Sequence, residues 1–234
     1  PSGLSGGAAY RLNAAFTKGT PIGGRVLDKM LIKALACAEG NACMDRIVAA
    51  PTAGSCGIIP AVLLTIMEEY GIPREKVVMG LFTAGGIGMV IAKRASISGA
   101  EGGCQAECGS ASAMAAGAVV EIMGGTPSMI GHSASIALKG VLGLVCDPVA
   151  GLVEVPCIKR NALGAANALV AANLALAGIE SIIPVDEVID TMKQVGDLMI
   201  PALKETAEAG LAVTPSALEF MKEQSTLTNR ISRW

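Results

Sequence analysis

Small side chains dominate this chain and aromatic ones are scarce, and this balance limits the folds open to it. Phe, Trp and Tyr make up 3% of the residues, whereas 52% are hydrophobic and 29 are glycine. Small residues let helix backbones approach closely, and the alternation of polar and apolar residues typical of strands is hard to find. The composition therefore predicts an all-α fold. A chain of 234 residues can bury one large core, so we expect a single compact helical domain over residues 1–234.

Helix starts and breaks are marked by caps, prolines and glycines. Thr-Pro dipeptides at 126–127 and 214–215 place a capping residue before a proline, which is a helix-start signal. A glycine pair at 85–86 predicts a break between two helices. The polar segment 224–234 is expected to be loosely held. Helices are predicted over residues 25–38, 60–70, 74–83, 87–95, 105–123, 127–144, 158–177, 185–199, 202–209 and 215–223.

The stretch 162–179 is almost wholly apolar and raises the question of a membrane. Two asparagines interrupt it and charged residues flank it closely, so it falls short of a convincing span. We expect a central apolar helix surrounded by others. A membrane protein stays open as the alternative, because the mean hydropathy is +0.55.

The charge balance argues against nucleic acid as the main partner. The net charge is −2, and the 18 Lys and Arg residues form no basic run, so small molecules are the expected partners. The chain has seven cysteines, an odd number, and no amino-terminal stretch with the order of a secretory signal. We therefore expect reduced thiols and a cytoplasmic location.

Three cysteines stand beside glycine or proline in segments that are predicted to bend next to a helix. Cys104 lies in GGCQAECGSA, and Cys146 and Cys157 end the segment CDPVAGLVEVPC. Helix amino termini favour thiolates. The sequence has none of the CxxC pairs that are typical of structural zinc sites. A four-iron cluster held by three thiolates leaves one iron without a protein ligand, and that iron can act as a Lewis acid. The alternative is that these cysteines are small buried hydrophobes.

The segment PTAGSCG at 51–57 is a proline-initiated turn that enters a predicted helix. It exposes backbone N–H groups and the hydroxyls of Thr52 and Ser55, and such a terminus can bind the carboxylate of an amino acid. A plain helix cap is the alternative interpretation. A similar polar turn at Ser98 and Gly99 can line the same pocket.

Three longer segments carry a resemblance to a known family. They are PTAGSCGIIPAVL at 51–63, SISGAEGGCQAECGSASAMAAG at 96–117 and CDPVAGLVEVPCIKRNALGAANA at 146–168. With them the chain resembles the alpha chain, or catalytic domain, of iron-sulfur-dependent L-serine dehydratases. The resemblance implies a helical catalytic domain with a 4Fe-4S cluster that converts L-serine to pyruvate and ammonia.

The resemblance also implies which residues form the site. Cys104, Cys146 and Cys157 match the cluster ligands in their spacing. Cys56 and Cys108 stay outside the ligand set, although Cys108 would share a helix face with Cys104. The residues expected to take part in catalysis are Thr52, Ser55 and Ser98. Those expected to bind substrate are Thr52, Ala53, Gly54, Ser55, Ser98, Gly99 and Asn161.

The remaining candidates receive weaker assignments. Glu107 and Asn161 can orient ligands or substrate through hydrogen bonds, or simply cap helices. Cys37 and Cys43 lie outside every matched segment and are predicted to be packing residues. His132 is the one histidine, and it lies in a predicted helix outside the matched segments. We therefore expect a helix-surface or core-edge residue there rather than the catalytic base.

The catalytic base is expected from a second chain. The resemblance implies a beta chain whose serine-rich motif carries a histidine, and that motif is not found in this sequence. Nor does the sequence show the helical leader that precedes residue 14 in the family, or the cysteine-bearing tail of single-chain members. We expect a fragment or one half of a two-chain enzyme, in an oligomeric assembly.

Two other interpretations stay open. A different lyase on the same scaffold, such as a cysteine desulfidase or a hydroxy-acid dehydratase, would share the ligands and differ in the leaving group. A non-enzymatic helical interaction protein, or a membrane protein, would carry the cysteines incidentally.

Overall fold

A computed structural model describes residues 2–19 and 22–231 of the chain. Within these ranges the regular elements are helices, and the β contact is one isolated parallel bridge between Cys146 and Lys204. A π-helical turn spans Gln105–Gly109, and short 3-10 turns span Val149–Gly151, Pro201–Leu203 and Gly210–Val213. The α-helices are α1 Ala8–Thr17, α2 Gly24–Ala42, α3 Ile58–Tyr70, α4 Arg74–Arg94, α5 Gly99–Gly102, α6 Ser110–Ile122, α7 Pro127–Lys139, α8 Cys157–Leu176, α9 Val185–Leu198 and α10 Pro215–Ile231.

Helix α6 lies at the centre of the core. All of its residues except Glu121 are buried, and it packs against α3, α4, α7 and α8. Glycine makes this approach possible, because a Cβ on Gly117 would lie 2.3 Å from Ile87 Cδ1. The all-α prediction is confirmed. The central helix is α6, however, and not the stretch 162–179, since α8 leaves side chains such as Leu163 exposed.

Helix α4 runs unbroken through the glycine pair at 85–86, so the predicted break there is wrong. The two helices predicted over 74–83 and 87–95 are one. Helix α4 packs along α6, and a Cβ on Gly88 would lie 2.8 Å from Met114 Cε. This packing outweighs the cost of about 1 kcal/mol that each glycine carries relative to alanine in a helix interior.

The helix predicted over 202–209 is also wrong. The chain there is irregular, and Glu205 and Ala207 take left-handed φ values of 65° and 57°. The reason is a backbone pairing with Cys146, whose N–H donates to Leu203 O at 2.9 Å and whose carbonyl accepts from Glu205 N at 2.8 Å. These bonds replace helical ones and attach the segment to a loop that carries a candidate ligand.

Several helix ends differ from the predicted boundaries. Helix α1 was not predicted, and α7 ends at Lys139 rather than at residue 144 because Gly140 follows it and Gly143 takes a φ of 82°. Helix α10 continues to Ile231, through part of the segment that was expected to be loosely held. The last three residues, 232–234, lie outside the described residues.

Helix α4 is, among the described residues, the one helix whose length and composition would allow it to cross a membrane. The stretch 162–179, which raised this question in the sequence, does not meet that criterion. Core helices of soluble proteins pass the same test, although α4 has only 28% of its apolar window buried and exposes Phe82 and Met89. By itself this is weak support for a membrane span.

Candidate metal centre

Four cysteines from three separate segments meet in the interior. Cys104 directly precedes the π-helical turn after α5, and Cys108 lies within that turn. Cys146 lies in the loop after α7, and Cys157 is the first residue of α8. Each is buried, with at most 6% of its surface exposed. We call these four residues the thiol site. The structure therefore brings together Cys104, Cys146 and Cys157, the three predicted ligands, and adds Cys108 to them.

The π-helical turn is held by a buried glutamine. Gln105 donates from Nε2 to Met192 O at 2.9 Å and accepts at Oε1 from Gly143 N at 2.9 Å, while its own N–H donates to Leu144 O at 2.9 Å. These bonds anchor the turn to α9 and to the loop that leads to Cys146. Such π-turns occur frequently at functional sites. The widened turn places Cys108 beside Cys104.

The four cysteines of the thiol site differ widely in pKa. The thiol of Cys108, and then that of Cys146, donates to Cys104, and this lowers the pKa of Cys104 to about 3. The pKa values of the two donors are raised, first by this same bond and then by burial. Burial, followed by the Cys104 charge, raises the pKa of Cys157 to about 12. The surroundings thus favour the thiolate form at Cys104 and the neutral form at its three neighbours.

Arg160 joins the ligand-bearing segments. It lies on α8 one turn after Cys157, and its guanidinium donates to Val145 O at 2.8 Å and to Asp147 Oδ1 at 2.9 Å. Its charge also helps to lower the pKa of Cys104. Asp147 is buried in turn and accepts from Leu211 N at 2.9 Å. In the sequence Arg160 stands out only as a charge that flanks an apolar stretch, although its spacing of three from Cys157 places both on one helix face.

The 51–57 loop reaches the same place from the opposite side. Thr52 Oγ1 donates to Glu107 Oε1 and lies 3.0 Å from Ser55 Oγ. Ser55 is fully buried, whereas Ala53 is exposed, so the loop leads from the surface to the interior. A Cβ on Gly54 would lie 2.6 Å from Glu107 Oε1, and this close approach requires glycine.

Asn161 fixes the 51–57 loop to the start of α8. Its side chain is fully buried and donates from Nδ2 to Gly54 O at 2.7 Å and to Cys157 O at 3.0 Å. Its Oδ1 accepts from Gly57 N at 2.9 Å. Both donors and the oxygen of the amide are therefore engaged, and they hold the loop next to a candidate ligand.

Glu107 lies between the 51–57 loop and the thiol site. Its Oε2 is 4.0 Å from Cys104 Sγ. Burial raises the pKa of Glu107 to about 7, and the charges of Cys104 and Glu205 act in the same direction against the hydrogen bond from Thr52. Glu107 can therefore hold or release a proton near neutral pH.

The turn at Ser98 and Gly99 forms another wall of the site. Gly99 is buried, and a Cβ placed on it would lie 3.1 Å from Cys146 Sγ and 3.3 Å from Glu205 Oε2. Ser98 precedes α5, and its N–H donates to Ser96 Oγ at 3.0 Å. The second polar turn predicted from the sequence thus adjoins the thiol site.

Other candidate residues lie in different surroundings. His132 lies within hydrogen-bonding distance of Ser128 Oγ at 3.3 Å and accepts from Ser181 N at 3.2 Å, and neither partner belongs to the thiol site. Cys43 is exposed. Cys37 was predicted to be a packing residue, but its Sγ lies 3.8 Å from Cys56 Sγ.

The donors of the thiol site fit an iron-sulfur cluster. Thiolates are the ligands that such clusters take, and the glycine at position 99 leaves space beside Cys146 that any larger residue would fill. A second ligand set is also present, because Cys104, Glu107 and Cys108 offer ligand atoms within 4.8 Å of one another. Cys108 donates its proton to Cys104, so we interpret it as a group that orients Cys104.

Fold and site define an all-α protein with a buried cluster of thiols joined to a polar loop. The sequence model of the serine dehydratase alpha chain matches residues 1–212. The chain belongs to this family.

Its relatives carry corresponding names. A probable L-serine dehydratase alpha chain of Bacillus subtilis is 54% identical over 222 residues, which cover 95% of this chain and 74% of that protein. The L-serine dehydratase alpha chain of Peptoniphilus asaccharolyticus is 52% identical, covering 93% and 76%. The L-serine dehydratase TdcG of Escherichia coli is 44% identical and much longer, since the match covers 80% of this chain and 42% of that protein.

Proposed function

We propose that this chain is the catalytic subunit of an iron-sulfur L-serine dehydratase, an L-serine ammonia-lyase that forms pyruvate and ammonia. The observation that carries this proposal is the meeting of three buried cysteines from distant segments with a loop that presents hydroxyls and backbone N–H groups. The names of the relatives support the substrate and the reaction class. We place the enzyme in the cytoplasm, because its thiols are free in the structure and cluster ligands require reduced thiols.

In this proposal Cys104, Cys146 and Cys157 hold a 4Fe-4S cluster. When bound, the cluster supplies a Lewis acid at the iron that lacks a protein ligand. Arg160 keeps the ligand-bearing segments together and offsets negative charge at the thiolates. Two of the three ligands, Cys146 and Cys157, must lose protons on binding, so cluster assembly releases protons.

The 51–57 loop binds the substrate in this proposal. It directly precedes α3, and the N–H groups and hydroxyls of Thr52, Ala53, Gly54 and Ser55 are suited to a carboxylate at a helix amino terminus. Asn161 holds the loop in place, and Ser98 with Gly99 closes the opposite side. Ser55, Gly99 and Asn161 are buried, which limits the access of water from their side of the loop.

Proton transfer is divided between two chains. Glu107 Oε2 can hold a proton near neutral pH and deliver it to the departing hydroxyl group of serine. The alpha proton must go to a base, and His132 is held by Ser128 and Ser181 away from the thiol site. We therefore propose that a beta chain supplies this base within an oligomeric enzyme.

The proposal is tested by anaerobic reconstitution of the chain with iron and sulfide, followed by a pyruvate assay with and without a beta chain. We expect cluster absorbance in both samples and rapid turnover of L-serine only with the beta chain. Sulfide release from cysteine without pyruvate formation from serine would replace the proposal with a desulfidase. A chain without iron or acid-labile sulfide after reconstitution would favour a non-enzymatic protein.

A further inference from the structure

An apolar surface groove adjoins the 51–57 loop and is lined by none of the four cysteines of the thiol site. Its volume is about 380 Å³, and it is bounded by α2, α3, α4 and the segment before the loop. Apolar side chains form most of the lining, with one arginine, Arg46, among them. Two cysteines, Cys37 of α2 and Cys56 of the loop, also line the groove.

The two sulfur atoms are close enough to react with each other. Cys37 Sγ lies 3.8 Å from Cys56 Sγ and 3.4 Å from Cys56 O, and Cys56 Sγ lies 3.9 Å from Cys37 O. These reciprocal contacts show that the two backbones run close together. A disulfide requires the sulfur atoms to approach from 3.8 Å to about 2.05 Å.

The two thiols differ in exposure and in acidity. Cys56 is 1% exposed, whereas Cys37 is only partly buried. The neighbouring Cys56 thiol lowers the pKa of Cys37 to about 7, whereas the neighbouring Cys37 and burial raise the pKa of Cys56. A partly exposed thiolate is the attacking partner in thiol–disulfide exchange, and a neighbouring buried thiol can resolve the mixed disulfide.

We propose that Cys37 and Cys56 form a redox-active dithiol that exchanges with small apolar disulfides entering this groove. In the first step Cys37 Sγ attacks one sulfur of the reagent disulfide, the reagent's S–S bond breaks, and one reagent thiol leaves. In the second step Cys56 loses its proton and attacks Cys37 Sγ, so that the second reagent thiol leaves. The two protein thiols are oxidised to one disulfide, and one reagent disulfide is reduced to two thiols.

The cross-link joins α2 to the 51–57 loop. Cys56 directly follows Ser55, so the disulfide would restrain the loop that we assign to substrate binding. An effect on serine turnover rests on the proposed function. The exchange reaction does not, because it depends only on the geometry of the two sulfurs and the groove.

The test treats the reconstituted chain anaerobically with dithiodipyridine, a neutral aromatic disulfide that releases a coloured thione. After alkylation of the remaining thiols and digestion with trypsin, Cys37 lies in peptide 34–46 and Cys56 in peptide 47–74. We expect these peptides to be joined. Because Cys43 shares the first peptide, Cys43→Ser is the matched control and should give the same cross-link, whereas Cys37→Ser and Cys56→Ser should give none.

Three results would overturn the proposal. The two peptides could stay alkylated and separate, the cross-link could disappear in Cys43→Ser, or Cys37 could stop at a stable mixed disulfide. Serine turnover is measured on the same samples, with iron content checked before and after. A cross-link in a chain that never forms pyruvate would support the dithiol proposal and reject the dehydratase proposal. Failure of the two proposals is therefore distinguishable.

Discussion

The thiol site and the pair formed by Cys37 and Cys56 use the same functional group in different settings. At the thiol site, cysteines from three segments are buried, and Gln105 and Arg160 attach those segments to one another. In the groove, two segments meet and one sulfur is accessible to solvent. Several converging thiols with anchored backbones are suited to binding a metal cluster, whereas an accessible pair of thiols is suited to reversible thiol–disulfide exchange.

The difference also concerns how charge is stabilised. The thiolate of Cys104 has two thiol donors and a nearby guanidinium, so its pKa falls to about 3. Cys37 has one neighbouring thiol, Cys56, and its pKa falls only to about 7. The two sulfurs therefore differ in how strongly their surroundings favour the thiolate.

Removing a ligand of the thiol site is the strongest way to test this contrast. Cys104→Ala, Cys146→Ala or Cys157→Ala should reduce iron and acid-labile sulfide to near background after anaerobic reconstitution, because two irons would then lack a protein ligand. Pyruvate formation should disappear with them. Cys37→Ala is the matched control and should keep its iron. A Cys146→Ala chain with full visible absorbance would disprove the ligand assignment.

Cys108→Ala separates the two possible ligand sets. We expect this chain to keep its cluster, because Cys108 donates to Cys104 and is not assigned as a ligand. Iron content per chain is the measurement. Loss of iron as complete as in Cys104→Ala would instead favour the set formed by Cys104, Glu107 and Cys108.

Arg160→Gln should give the next largest effect. Removing a group that orients metal ligands typically weakens metal binding by about 10–100-fold, which a titration against a chelator measures. The substitution also leaves Asp147 buried without its ion partner, so the free energy of unfolding should fall by about 3–5 kcal/mol in chemical denaturation.

A double variant separates the two roles of Arg160. Arg160→Gln combined with Asp147→Asn removes the unpaired charge and should recover part of the stability without recovering iron affinity. Arg160→Lys keeps the charge but lacks the planar two-point contact, so it should be intermediate in both measurements. Wild-type iron affinity in Arg160→Gln would show that the guanidinium does not organise the site.

Asn161→Ala tests the attachment of the 51–57 loop. It leaves Gly57 N–H buried without its acceptor, which costs about 1–3 kcal/mol, and it frees the loop from α8. We expect a higher KM for serine at equal iron content. Asn161→Asp keeps the acceptor for Gly57 but places a buried carboxylate oxygen against Gly54 O and Cys157 O, so it should lose at least as much stability. An unchanged KM for serine in both variants would contradict the assignment of the 51–57 loop to substrate binding.

The acidity of Cys37 gives a smaller and pH-dependent effect. Alkylation of Cys37 should rise with pH and reach half its maximal rate near pH 7, because the thiolate is the reactive form. Cys56→Ala removes the neighbouring thiol that lowers the pKa of Cys37, so this pKa should rise and alkylation at neutral pH should fall on the order of tenfold. Peptide mass spectrometry measures the rate. An equal rate in both chains would show that Cys56 does not activate Cys37.

His132→Gln should change least. Its ring contacts Ser128 and Ser181 outside the thiol site, so we expect turnover with a beta chain to stay close to wild type. Loss of a general base would instead lower turnover by about 10²–10⁴-fold. A loss of that size at equal iron content, with serine still bound, would move the base into this chain.

Helix starts were predicted correctly from the sequence where they depend on interactions between neighbouring residues. The cap at Thr126 accepts from Met129 N at 3.3 Å, and α7 and α10 begin at the prolines that the Thr-Pro signals marked. Capping depends on residues within one turn, so the sequence suffices. The composition of small residues likewise indicated an all-α fold, and the family resemblance seen in three segments is confirmed by the match over residues 1–212.

Features that depend on distant partners were missed. Nothing local shows that α4 continues through the glycine pair at 85–86, since packing on α6 decides it. The irregular backbone of 202–209 depends on pairing with Cys146, more than fifty residues away in the chain. The ligand assignments and the substrate loop stay predictions, although the structure places them together.

The sequence by itself determined the helical class, several helix starts and the cysteines that resemble cluster ligands. The tertiary structure decided which thiols share a site and which of them has a lowered pKa, and it showed that Arg160 joins α8 to the Cys146 loop while Asn161 joins α8 to the 51–57 loop. It also placed Cys37 beside Cys56, a contact between residues 19 positions apart. The physical reason is that capping and helix propensity act within a few residues, whereas burial and charge are set by whatever the folded chain brings within a few ångströms.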